Sequence, residues 1–103
     1  MTKIVVSGAS GDLGRRITSL LLDHVNPAHV TLVTRTPEKI AADLPSDVRV
    51  LQGDYRDRDT LVAAYQGGDV LMLISSLDVA KRVPEHRNAI EAAKIAGIRH
   101  IVY

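Results

Sequence analysis

The 103-residue sequence has no cysteine, no tryptophan and no phenylalanine, and its aromatic content is three tyrosines. Without cysteine there is no disulfide framework, no thiolate nucleophile and no cysteine-based metal site. With so few aromatics, the core must be built from Val, Ile, Leu and Ala, drawn from a hydrophobic fraction of 46%. Neither sign of charge is in excess: 13 Lys and Arg stand against 12 Asp and Glu, for a net charge of +1. The charges are spread along the chain, so there is no basic stripe for nucleic acid and no polybasic membrane patch. The longest apolar run, residues 70–74, is far too short to cross a bilayer. Residues 1–3 lead straight into an apolar run and leave no room for a secretory signal. His24, His29 and His100 share no ligand spacing with one another or with the acids, and no metal is expected. These absences describe a soluble, intracellular, cytoplasmic chain of one-domain size, long enough to bury a core of its own.

What is present alternates. Short continuous apolar runs at residues 3–7, 29–34, 48–51, 69–75 and 98–103 read as strands one to five. Between them lie helical patterns. The first, residues 12–24, sets Leu13, Ile17, Leu20, Leu21 and Val25 on one face, and Asn26-Pro27 breaks it. Thr36-Pro37-Glu38 predicts a capped helix running to about residue 44, closed by Pro45. Asp57 predicts the cap of a helix over 60–66, which Gly67-Gly68 ends. Pro84 predicts the first turn of a last helix that runs through Lys94 and stops at Gly97. Strands that are apolar throughout, rather than alternating, belong to a parallel sheet covered on both faces. With right-handed crossovers this is an α/β, doubly wound Rossmann-type sheet of five strands ordered 3-2-1-4-5.

The first strand-to-helix turn is Gly8-Ala9-Ser10-Gly11-Asp12-Leu13-Gly14. Gly8 meets the sharp turn, Gly11 removes bulk where phosphate oxygens would touch the main chain, and Gly14 brings the helix close to the sheet. The free N–H groups of the first helical turn then face an anion, aided by the helix dipole. Gly8, Ser10, Gly11, Asp12, Leu13 and Gly14 are therefore candidate contacts of a dinucleotide pyrophosphate, with Ser10 offering a hydroxyl donor.

Strand two ends at Val33-Thr34-Arg35, and no Asp or Glu occurs between His29 and Pro37. A carboxylate there would hold both ribose hydroxyls of NAD and repel a 2′-phosphate, whereas a guanidinium pairs with the phosphate bidentately. Arg35 thus points to NADP(H) in preference to NAD(H). Arg15 and Arg16 read as surface side chains that add positive potential. After strand three, Asp54 is placed to accept from an adenine amino group and Tyr55 to flank the ring, although a plain turn aspartate explains Asp54 equally well. Ser75 and Ser76, at the end of strand four, lie where a nicotinamide ribose would pass, or form an ordinary loop. His86 and Asn88 read as structural polar residues, and Lys94 as a complement to its helix dipole.

Together with the glycine loop, Gly53-Asp54-Tyr55-Arg56-Asp57, Leu73-Ile74-Ser75-Ser76, and His86-Arg87-Asn88-Ala89-Ile90-Glu91-Ala92-Ala93-Lys94 followed by Ala96-Gly97-Ile98 carry a family likeness. The sequence resembles the NmrA-like atypical short-chain dehydrogenases. Within them it is similar to the NAD(P)H:quinone oxidoreductase type 2 branch, which includes reductases of triphenylmethane dyes. The resemblance implies an NADP(H)-binding domain that serves hydride transfer to a small quinone-like acceptor. Carried over by position, Gly8, Gly11, Gly14, Arg35, Asp54 and Ser75 match the family's cofactor contacts. The NmrA-like regulators supply an alternative, a non-catalytic dinucleotide sensor.

Two departures qualify the likeness. The Tyr-x-x-x-Lys pair of short-chain dehydrogenases does not occur: Tyr55 is followed at that spacing by Asp59, and Tyr65 by Asp69. The branch resembled here contains atypical members that lack the pair, so hydride transfer is not excluded, and the catalytic residues stay unknown. Family members are also much longer. The expectation is a cofactor half over residues 1–103 that is inactive alone, lacks its substrate-binding part and exposes the edge of strand five to self-association.

Overall fold

A computed structural model of the chain describes residues 2–74 and 79–102. Five strands form one parallel sheet: β1 (Ile4–Ser7), β2 (Val30–Thr34), β3 (Arg49–Gln52), β4 (Val70–Leu73) and β5 (His100–Val102). Their order is β3-β2-β1-β4-β5, the doubly wound arrangement the strand pattern implies. β1 is central, with Ile4 opposite both Val30 and Val70 and Ser7 opposite Val33 and Leu73. Three helices cover the sheet: α1 (Asp12–Leu22), α2 (Arg58–Tyr65) and α3 (Val79–Ala96).

The uninterrupted apolar runs are explained by burial on both sides. Val5, Val33, Leu71 and Leu73 turn to one face, under Leu61, Ala64 and Tyr65 of α2 and Ala89, Ala92 and Ala93 of α3. Val6, Val30 and Leu32 turn to the other, beneath Ile40 and Val48 and beside Leu21, Leu22 and Val25. Ala89, Ala92 and Ala93 of α3 are completely buried, so small side chains set that helix close to the sheet. In a core without Phe or Trp, Tyr65 is the largest fully buried side chain.

Several elements depart from expectation. α1 stops at Leu22 rather than residue 24, and its inward face is different. Gly14 and Thr18 are its buried residues, while Leu13 and Leu20 are 59% and 64% exposed. The Gly14 contact fixes the rotation of the helix: a Cβ there would stand 2.5 Å from the Gly8 carbonyl oxygen. Backbone proximity, rather than the count of leucines, chose the face. The expected helix after Thr36 is instead two 3-10 turns, Pro37–Lys39 and Ala41–Asp43. Thr36 makes no side-chain cap; its N–H donates to Thr34 Oγ1 at 3.2 Å. A segment this short, bracketed by Pro37 and Pro45, gains too few i→i−4 bonds to repay helix nucleation.

α2 starts at Arg58, two residues early, with Asp57 as its cap, and Gly67 takes φ +81° just past its end. α3 begins at Val79, so Pro84 lies inside it and not in its first turn. Proline forfeits one N–H bond but keeps helical φ, and the packed alanines carry the helix past it. β3 sits one residue later than expected, β4 ends at Leu73, and β5 is confined to three residues. Among the described residues, no helix is long and apolar enough to cross a membrane.

Candidate functional site

Parallel pairing brings the carboxyl ends of all five strands to one edge. Between β1 and β4 the chain departs to opposite faces of the sheet, toward α1 and α3, the switch point at which a doubly wound sheet forms its ligand crevice. Gly8 begins the turn out of β1 with φ +85°, and a Cβ on it would stand 2.7 Å from Ile74 O and 3.1 Å from Tyr55 Oη. Both its conformation and its neighbours require glycine. The N–H groups of Gly8 and Ala9 both donate to Val33 O, at 3.0 and 3.2 Å, which ties the turn to β2.

Gly11 differs from Gly8 and Gly14. It is the N-cap of α1, with φ −75° and ψ 170°, and makes no side-chain cap. A Cβ on it would meet nothing within 4 Å. The first-turn N–H groups of Asp12, Leu13 and Gly14 thus have no capping side chain at a place that glycine leaves open. Those are the two properties that an anion seated on a helix N-terminus needs. Ser10 is half-buried beside this space, and Asp12 and Leu13 are exposed. An anionic group such as the pyrophosphate expected from the sequence would suit this cradle. The Asp12 carboxylate would repel that group, so Asp12 can serve it only through its main-chain N–H.

Arg35 is exposed immediately after β2. Across from it lies the loop at 53–57. Arg56 binds the Asp54 carboxylate from three donors: Nη2 to Oδ2 at 2.9 Å, Nε to Oδ1 at 3.2 Å, and its main-chain N to Oδ1 at 2.9 Å. The Arg56 hydrogen bond holds the Asp54 carboxyl below the usual carboxylate range, and the charge of Arg35 adds to the effect. Asp54 is thus ionised and already engaged. The loop is fixed at its far end as well, where Asp57 accepts from Asp59 N at 3.1 Å and Asp54 N donates to Thr60 Oγ1 at 3.0 Å.

Tyr55 turns inward. Its hydroxyl donates to Ile74 O at 2.9 Å, and its own carbonyl accepts from Asn88 Nδ2 at 2.8 Å. One layer below, Ser7 Oγ and Tyr65 Oη are 2.7 Å apart and buried. Burial raises the pKa of both phenols, that of Tyr65 to about 12, so both stay neutral and able to donate. Ser7, Tyr65, Ile74 and Asn88 were not foreseen as neighbours of the loop. The one signal for them is that two of only three tyrosines follow strand three and close α2.

Gly8, Ser10, Gly11 and Gly14 therefore gather on one side of the crevice, with Arg35 and Asp54 beyond β2 and β3. Ser75 and Ser76 lie outside the described residues. A separate cavity of about 260 Å³ between α1 and the two 3-10 turns touches the glycine loop only at Ala9. Among the described residues, no group of three or more His, Cys, Asp or Glu could hold a metal ion.

Known proteins carry the same arrangement. Residues 8–103 match a family model described as NAD(P)H-binding. Quinone oxidoreductase 2 of Escherichia coli is 40% identical over 100 residues, which are 97% of this chain and 35% of that protein. An NmrA-like family domain-containing oxidoreductase of Aspergillus flavus is 28% identical over 105 residues, covering 98% of this chain and 34% of that one. Among solved structures, an E. coli NADPH-dependent quinone oxidoreductase complexed with NADPH superposes with a TM-score of 0.88 at 40% identity, covering 95% of this chain and 35% of that one. The chain spans about a third of the length of the curated relatives it matches.

Proposed function

Because this chain belongs to an NAD(P)H-binding family with NmrA-like members, we propose that it holds NADP(H) in preference to NAD(H). In that reading, residues 1–103 are the cofactor-binding domain of a reductase whose acceptor is quinone-like. The observation that carries it is the uncapped, open start of α1 at Gly11, with Arg35 exposed at the carboxyl end of the neighbouring β2.

When bound, the reduced nicotinamide supplies the hydride. The rest is the work of the chain's own groups. The N–H groups at the start of α1 receive the pyrophosphate, and Gly8 and Gly14 give the main chain its close path around it. Arg35 pairs with the 2′-phosphate as a fork of donors. The Arg56-held carboxylate of Asp54 keeps the adenine side in place; Ser75 and Ser76, outside the described residues, remain the sequence's candidates for the ribose next to the nicotinamide. The quinone-like acceptor is supported by the E. coli relative, which matches over about a third of its own length.

Titration of the chain with NADPH and NADH tests this. Arg35→Asp should weaken NADPH binding by about tenfold or more, the scale of a lost hydrogen bond to a charged group, and NADH binding by much less. Equal losses would remove Arg35 from the 2′-phosphate. A folded chain that binds neither cofactor would overturn the dinucleotide reading.

A further inference from the structure

Tyr55 follows strand three, yet its side chain reaches beneath the turn that leaves strand one. The hydroxyl donates to Ile74 O, just past β4. It also lies beside Gly8, 3.1 Å from where a Cβ would be. Ile74 in turn donates its N–H to Ser7 O at 3.1 Å, so the same residue is bonded to β1 by its nitrogen and to Tyr55 by its oxygen. At its main-chain end, Tyr55 is held by Asn88 of α3. One side chain thus links the loop at 53–57, the glycine turn and the end of β4.

We infer that Tyr55 is a positioning residue for the glycine loop. Its hydroxyl pins Ile74 O against Gly8, and so holds the turn in the conformation that aims the α1 N–H groups at a pyrophosphate. Tyr65 provides the contrast. Its hydroxyl bonds Ser7 a layer deeper, and its ring belongs to the core between β1 and α2. It makes a comparable buried hydrogen bond to Ser7, whose side chain also interacts with Tyr55, but it makes none to Ile74. The ligand consequence of this inference rests on the function proposed above; the conformational consequence does not.

The test compares Tyr55→Phe with Tyr65→Phe in the full chain by two measurements. The first is amide hydrogen exchange without cofactor. Tyr55→Phe should speed exchange at Gly8 and Ala9, whose N–H groups bond Val33 O, severalfold more than at Val5 and Val6. Tyr65→Phe should change exchange at these sites together, through global stability. The second is NADPH titration. Tyr55→Phe should raise Kd about five- to tenfold, the scale of one net hydrogen bond, and Tyr65→Phe, which leaves the bond to Ile74 O in place, should raise it clearly less.

Exchange at Gly8 and Ala9 that keeps pace with Val5 and Val6 in Tyr55→Phe overturns the inference, whatever the cofactor does. So does a Kd that Tyr65→Phe raises as much. If the unaltered chain fails to bind NADPH, the proposed function falls, while the exchange comparison still decides the role of Tyr55. Should Tyr55→Phe not fold, Asn88→Ala carries the same comparison. It frees the other end of Tyr55 and should loosen Gly8 and Ala9 selectively.

Discussion

A methyl group added at Gly14 would stand 2.5 Å from the Gly8 carbonyl oxygen and 2.8 Å from Ala9 Cα, both of them backbone atoms with no rotamer to yield. One added at Gly11 would meet nothing within 4 Å, on a backbone of ordinary φ. The two glycines are three residues apart and answer to different needs, packing for one and, in the proposed function, a ligand for the other. Gly14→Ala should destabilise the chain by about 2 kcal/mol, the usual cost of overpacking, despite the better helix propensity of alanine. Gly11→Ala should cost less than about 1 kcal/mol, as a less favoured N-cap. It should nevertheless weaken NADPH binding at least as much as Arg35→Asp does. Urea denaturation and cofactor titration of both variants check this, and a Gly11→Ala chain that binds normally would mean that no phosphate sits there.

Among the elements, α2 depends most on a single residue. It has eight residues, and Asp57 accepts from Asp59 N at its start while Thr60 Oγ1 donates to Asp57 O at 2.7 Å. Asp57→Ala should lower stability by about 1 kcal/mol, read as a lower urea midpoint with an unchanged slope. The cap was legible in the sequence because an aspartate before a helical pattern has a local purpose. So were the strands and their order, since two-sided burial leaves continuous apolar runs. The face of α1 was not legible, because its rotation is set by a backbone contact at Gly14 that adds nothing to apolar periodicity. Nor was the direction of Tyr55, whose partner Ile74 O is a carbonyl nineteen residues away. Gly8 and Gly14 were readable for the opposite reason: each stands where neighbouring backbone leaves no room for a Cβ.

In the whole molecule, β3 and β5 are the two edges of the sheet. β3 presents exposed Arg49 and Gln52, polar groups that discourage pairing, whereas β5 leaves Val102 48% exposed. We expect the chain to associate through β5 as its concentration rises. Val102→Lys should move that association to higher concentration in sedimentation experiments. A chain that stays monomeric throughout would refute the expectation. The central place of β1 has one more consequence, in time rather than in space. Its first partner, β2, lies 26 residues along the chain, but its second arrives only at Val70, opposite Ile4. Ile74, which closes the wall behind Gly8, follows four residues later. During synthesis the glycine turn thus emerges well before the wall that encloses it. Pairings this distant are slow to form, so the nascent chain must carry its cofactor loop unfinished until β4 docks.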